Sequence, residues 1–482
     1  MAQKQKRFVA LGLIGALAAV SAASLLPAGA AGFINWPSYG RDPAHDSYQA
    51  AATAITPANA AHLTAKWHWS PTAKPPTDLL LYASAIAVNG VIYIGADTGD
   101  FYALNEATGK QIWRKILPYT PAFKNGINHC GLPAGIEDAA TVTNDPVTGR
   151  LTVYIGGGDT YLRALDAATG KELWQTQNGG PYNLNYFNYS SPTVFNGRIY
   201  EGIASHCEEV TRGGLSEYDQ HTGTLLATYY TVPAGSRGGA IWSTPGVGSN
   251  GGVYVTTGNG VTGYPAGDSL SIVRLDPATL ARKDIWTITS PPNTDADFGA
   301  SPTFFTGTIG STPTALVGAC NKNGIFYAWN LSNLAAGPVW TRQVGIPNQT
   351  STRVLESFCS DPAIWDAAHG RLFVGANQPT AASSANGSAY QLNPSNGTVI
   401  WETNLPVAPV IGAPSLNGGG VLAVPTWNAA GKVKTGAVYL LDASTGAMLA
   451  TLVPGTPSYA QPIFADRLLL IAAGTTLTAY GP

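Results

Sequence analysis

A twelve-residue phrase recurs along this chain: YALNEATGKQIW at 102–113, RALDAATGKELW at 163–174 and, more eroded, YQLNPSNGTVIW at 390–401. Weaker copies stand at 216–227, 272–286, 327–340 and 439–450, which makes seven. Trp113 and Trp174 lie 61 residues apart, Trp286 and Trp340 54, and Trp340 and Trp401 61 again. That period is somewhat longer than a WD40 blade, and the WD dipeptide is absent. Within a unit, VIYIGADTGDFYAL (91–104) and TVYIGGGDTYLRAL (152–165) alternate apolar and polar residues around Gly/Asp turns, the pattern of a hairpin. Helical periodicity is nearly absent, whereas 56 Gly and 34 Pro supply the turns a sheet protein needs. The fold class is therefore all-β, with about four strands per unit.

One four-stranded sheet cannot bury both faces, so the units are expected to stack radially, with the terminal Trp, or Ala227 and Ala450 in its place, packed between neighbours. After the seventh copy, FADRLLLIAAGTTLTAYGP (464–482) offers inner strands of an eighth unit but no outer strand. HLTAKWHW (62–69) supplies it. Pairing this N-terminal strand with the last unit closes the ring and removes two exposed edges, so the expected architecture is an eight-bladed β-propeller over 32–482.

Residues 1–31 carry Lys4, Lys6 and Arg7, then an apolar run from Phe8 to Leu26, then Ala28-Gly29-Ala30. They read as a secretory signal peptide, which predicts a secreted or periplasmic protein with no membrane insertion after cleavage. Only 11% of residues are charged and the net charge is −2, which argues against a nucleic-acid partner. Cys130, Cys207, Cys320 and Cys359 lack metal-ligand spacing, so two disulfides are expected. Three pairings are possible, of which Cys130 with Cys207 and Cys320 with Cys359 would each staple one blade to the next. No CxxCH motif for haem attachment occurs.

The longest departures from the repeat are ASHCEEVTRGG (204–214), RGGAIWSTP (237–245), YVTTGNGVTGYPAGDS (254–269), PPNTDADFGASP (291–302) and ACNKNGIFYAW (319–329). In this order they resemble the cofactor loops of the quinoprotein alcohol dehydrogenases. Those are eight-bladed propellers that bind pyrroloquinoline quinone and a divalent cation. The opening WPSYGRDPAHDSY, followed by ITPANAAHLTAKW, is similar to that family's N-terminal segment. The Cys-Glu-Glu loop followed by Arg-Gly resembles the polyvinyl-alcohol dehydrogenase branch.

The resemblance places Glu208, four residues before Arg212, and Asn259 on metal-binding positions, and Asp297 on the catalytic aspartate, with Asp295 as its rival. A carboxylate, an amide oxygen and quinone oxygens suit Ca²⁺. Gly299 stands where lanthanide-using members carry a second aspartate, so the resemblance implies calcium. Lys322, in NKNG, falls on the lysine that donates to the quinone oxygens, and Trp242 on the indole that stacks on the cofactor plane. The pair Gly238-Gly239 suggests close approach of backbone to a ligand. The chain departs from the family in three respects: the adjacent cysteine pair is missing, the first-blade arginine has no evident counterpart, and Ala240 replaces a hydroxyl residue.

The implied activity is oxidation of an alcohol, with electrons passing to an external acceptor such as a cytochrome. The alternatives are a non-catalytic propeller serving as an envelope scaffold, or a binding module for a polysaccharide or polymer.

Overall fold

The computed structural model describes residues 32–71, 81–118, 135–205, 210–290, 295–347, 362–379, 383–428 and 435–482. Among them, eight sheets each have four principal antiparallel strands. Blades 1 to 7 run over 86–116, 141–177, 193–230, 246–287, 303–343, 364–405 and 415–452. In blade 1, VIYIG and DFYALN form the buried inner hairpin, and Gln111–Ile116 is an outer strand in which exposed residues predominate. β-branched and aromatic side chains fill the inner positions because both faces of an inner strand meet a neighbouring sheet.

Blade 8 combines Ile463–Ala465, Leu468–Ala473 and Thr476–Gly481 with the N-terminal strand Thr64–Trp69. The register is antiparallel, with Ala65 opposite Tyr480, Trp67 opposite Ala479 and Trp69 opposite Leu477. The ring closes as the sequence predicts.

The repeated Thr-Gly-x-x-x-Trp phrase is the joint between blades. Trp67, Trp113, Trp174, Trp340 and Trp401 lie over Gly109, Gly170, Gly223, Gly397 and Gly446 of the following blade. A β-carbon on any of these glycines would fall 2.5–2.7 Å from the indole. Each glycine also has φ between +66° and +74°, so only glycine meets both demands. The indole N–H of Trp113 donates to the Ala167 carbonyl at 3.0 Å, and that of Trp340 to Pro394 at 2.9 Å. Upstream of the glycine an Asp or Asn fixes the turn: Asp166 Oδ1 accepts from the Thr169 N–H and hydroxyl at 3.0 and 2.8 Å.

The segment from Trp36 to Gln49 threads the central channel and hydrogen-bonds to one innermost strand after another. Carbonyls of Trp36, Pro37, Pro43, Ala44, Asp46 and Ser47 accept from Ala87, Val142, Val247, Phe304, Trp365 and Leu416, in blades 1, 2, 4, 5, 6 and 7. Gly40 N–H donates to Gln461 at the entrance to blade 8. Among the described residues no such bond reaches blade 3, and a cavity of about 60 Å³ lies between the plug and Pro192, Thr193 and Val194. Arg41 ties the plug internally by pairing with Asp42 and Asp46. Burial pushes the Asp46 carboxyl up to about 7, assisted by Asp42 and opposed by Arg41. Arg41→Ala should therefore cost about 1–3 kcal/mol, since it leaves two adjacent carboxylates uncompensated. Denaturant unfolding of the variant measures the loss.

Residues 1–31 lie outside the described residues. Among those described, no helix is long and apolar enough to cross a membrane.

Candidate active site

Connections between blades and the loops inside each inner hairpin open on one face of the ring. Trp242 comes from the connection between blades 3 and 4, Asn259 from the loop after Val253–Thr256, and Asp295 and Asp297 from the connection between blades 4 and 5. Lys322 comes from the turn after Thr312–Cys320. The structure brings all five together.

Asp297 is buried, and its two oxygens face different partners. Trp242 Nε1 donates to Oδ2 at 3.0 Å, and the Lys322 ammonium lies 2.7 Å from Oδ1. The same ammonium donates to Asp295 Oδ1 at 2.9 Å and sits 5.6 Å from the Trp242 ring centroid. Burial raises the Asp297 carboxyl above the ordinary range, Lys322 opposes the rise, and Asp295 adds to it. Asp295 is more exposed, and the pull of Lys322 outweighs its desolvation and lowers it. Lys322 itself stays firmly charged, because its two carboxylates overcome the cost of burial.

Asn259 reaches this group through Asp295. Its Nδ2 donates to Asp295 Oδ1 at 3.0 Å, and its Oδ1 accepts from the Ala296 N–H at 3.2 Å. On the other side Asn321 Nδ2 donates to the Ala296 carbonyl at 2.7 Å, and Lys322 N–H to the Asp297 carbonyl at 3.2 Å. The turn 295–297 is thus clasped by loops of blades 4 and 5, which fixes the direction of the Asp297 side chain. Asp295, a rival for the catalytic role in sequence, emerges as the bridge between Asn259 and Lys322. Alternation and turn chemistry could not have found that role, which depends on two loops meeting across a blade boundary.

Both glycine features have packing reasons within the protein. Gly238 and Gly239 approach protein: a β-carbon on the first would fall 2.7 Å from the Asn259 carbonyl, and on the second 2.3 Å from Thr231 Oγ1. Gly239 N–H donates to the Asn259 carbonyl at 2.7 Å, so the pair seats the strap that carries Trp242. A β-carbon at Gly299 would lie 2.3 Å from the benzene edge of Trp242. An aspartate there would collide with the indole, a steric reason for glycine at that position.

Glu208, Cys130, Cys207 and Cys359 lie outside the described residues. Cys320 is buried at the end of its strand, and both expected pairings involve residues outside those described. Arg212 is described: its Nε donates to the Val232 carbonyl at 2.9 Å and its guanidinium packs 3.7 Å from the Tyr230 ring centroid. No group of three or more His, Cys, Asp or Glu side chains forms a metal cluster among the described residues. The donors near Asp297 nevertheless suit a planar quinone with a hard cation: an indole for stacking, an ammonium, carboxylates and an amide oxygen.

Residues 36–340 match the glucose/ethanol/alcohol dehydrogenase β-propeller domain, the pyrroloquinoline quinone family. The chain belongs to this family. Residues 337–480 match a second family, described as outer membrane protein assembly factor BamB. The quinohemoprotein alcohol dehydrogenase of Comamonas testosteroni is 27% identical over 338 residues, which cover 62% of this chain and 45% of that protein. A polyvinylalcohol dehydrogenase of Sphingopyxis sp. (strain 113P3) is 24% identical, covering 66% and 52%. The chain spans between about a quarter and somewhat over half of the length of the curated relatives it matches. The crystal structure of the Comamonas enzyme superposes with a TM-score of 0.70 at 20% identity, over 93% of this chain and 80% of that one, a likeness of fold.

Proposed function

We propose that this propeller oxidises an alcohol, using pyrroloquinoline quinone and Ca²⁺. The observation that carries the reading is Asp297, buried and held between an indole N–H and an ammonium at the mouth of a ring whose family uses this cofactor. Trp242 would stack on the quinone plane and Lys322 would face its oxygens. Asn259, Asp297 and Glu208 would hold the cation. When bound, the quinone supplies the acceptor for the hydride leaving the carbinol carbon. Asp297 takes the hydroxyl proton as general base, poised by burial and aimed by the clasped turn. Lys322 keeps the mouth electrostatically prepared for developing negative charge. Electrons would pass on to an external acceptor such as a cytochrome. Residues 1–31 would direct secretion, and a polymeric alcohol is within the reading.

The match of 337–480 to an assembly factor favours a second reading, a scaffold without catalysis. Titrating the purified protein with pyrroloquinoline quinone and Ca²⁺ separates the two. Saturable, Ca²⁺-dependent binding with dye-linked oxidation of alcohols is expected. No binding at high micromolar cofactor would leave the scaffold.

A further inference from the structure

The two oxygens of the buried Asp297 carboxyl are not equally engaged. Oδ2 accepts the indole N–H of Trp242 at 3.0 Å, whereas Oδ1 accepts no aligned hydrogen bond. What lies on Oδ1 is the Lys322 ammonium, 2.7 Å away. The aligned bond of that ammonium goes to Asp295 Oδ1 at 2.9 Å, and the same oxygen accepts from Asn259 Nδ2 at 3.0 Å. Asp295 therefore parks the ammonium against Asp297, and Asn259 holds Asp295 in place. Little room is left for the lysine to wander: only 12% of its side-chain surface is exposed, and its backbone N–H donates to the Asp297 carbonyl at 3.2 Å.

An ammonium is a compact point charge, and without alignment its hold on Oδ1 is charge alone. A hard divalent cation offers the same oxygen the same thing more strongly, at about 2.4 Å for Ca²⁺. With both on Oδ1, the ammonium at 2.7 Å and the cation would stand no more than about 5 Å apart. Three positive charges would then face the two described carboxylates of the cluster, and mutual repulsion opposes joint occupancy. The ammonium and the cation compete for one oxygen.

We propose that Lys322 is a resident counter-ion: its ammonium, parked by Asp295, covers the cation side of Asp297 Oδ1, and a divalent cation binds there only by displacing it. Lys322 and Asp295 are then positioning residues that set the metal affinity of the site. The proposal rests on the quinone-and-Ca²⁺ reading for the presence of a cation, and not on the reaction carried out there. In that reading the quinone oxygens give the displaced ammonium new acceptors, so cofactor and cation enter the site together.

The test is calorimetric titration of the cofactor-free protein with Ca²⁺, in the wild type and in Lys322→Met, Lys322→Gln and Lys322→Arg. The Met and Gln variants should bind at least about tenfold more tightly than wild type, because no charge remains to be displaced, while the Arg variant, which keeps the charge, should gain nothing. Lys322→Gln retains an N–H donor for Asp295, so it keeps the test open should the Met variant fail to fold, which circular dichroism reports. Trp242 gives a second signal: its indole N–H is bonded to Asp297 and its ring lies 5.6 Å from the ammonium, so its emission should shift as Ca²⁺ binds. Affinity in the Met and Gln variants no greater than in wild type, including no detectable binding in any of them, overturns the proposal. So does Ca²⁺ binding with unchanged Trp242 emission, which would place the cation away from Asp297. Tighter binding in the variants, with no dye-linked alcohol oxidation by the wild type in quinone and Ca²⁺, would sink the oxidation reading and leave the competition standing. Oxidation by the wild type with unchanged affinity in the variants would do the reverse.

Discussion

Asp297→Asn should lower alcohol oxidation by roughly two to four orders of magnitude while leaving unfolding nearly unchanged. The amide keeps the volume, and an oxygen remains to accept from Trp242 Nε1. What disappears is the base, together with one of the two carboxylates that hold the Lys322 ammonium. Because burial lifts the Asp297 carboxyl above its ordinary range, the wild-type rate should rise with pH as that group loses its proton. In the variant this acid limb should vanish. A steady-state pH profile on both proteins measures the two effects. Activity within tenfold of wild type would transfer the role to Asp295.

The largest structural effect is expected at Trp340. Its side chain is buried, stacks on Phe326 at 5.6 Å, donates to the Pro394 carbonyl of blade 6 and lies on Gly397. Trp340→Ala opens a cavity and strands that carbonyl, at a cost of about 3–5 kcal/mol. Denaturant unfolding should show an earlier midpoint. A loss below about 1 kcal/mol would mean that the joints between blades contribute little and that the plug and the closing strand hold the ring.

Much of the fold was legible because its determinants are local and repeated. The Asp/Asn-x-x-Thr/Asn-Gly turn, the alternation of the inner strands and the Trp at a fixed distance all lie within one blade, and seven copies average out the erosion of any one. The eighth blade was legible for a related reason: HLTAKWHW is an outer strand without inner strands of its own, and the C terminus is the reverse. At the site, Asp297, Lys322, Trp242 and Asn259 could be named from loop order and resemblance. Each is a single turn residue whose ordinary explanation is local, so their convergence became visible only across the boundary between blades 4 and 5.

Sequence by itself determined the class, the number of blades and the closure, because periodicity and strand pairing are written in short-range pattern; the candidate residues came from loop order and resemblance. Tertiary structure alone decided three further points. Asp295 ties Asn259 to Lys322; Gly238, Gly239 and Gly299 make room for protein; and the segment 36–49 plugs the channel. These contacts join residues tens to hundreds of positions apart. No local propensity encodes them, and they exist only once eight separate sheets have been packed into one ring.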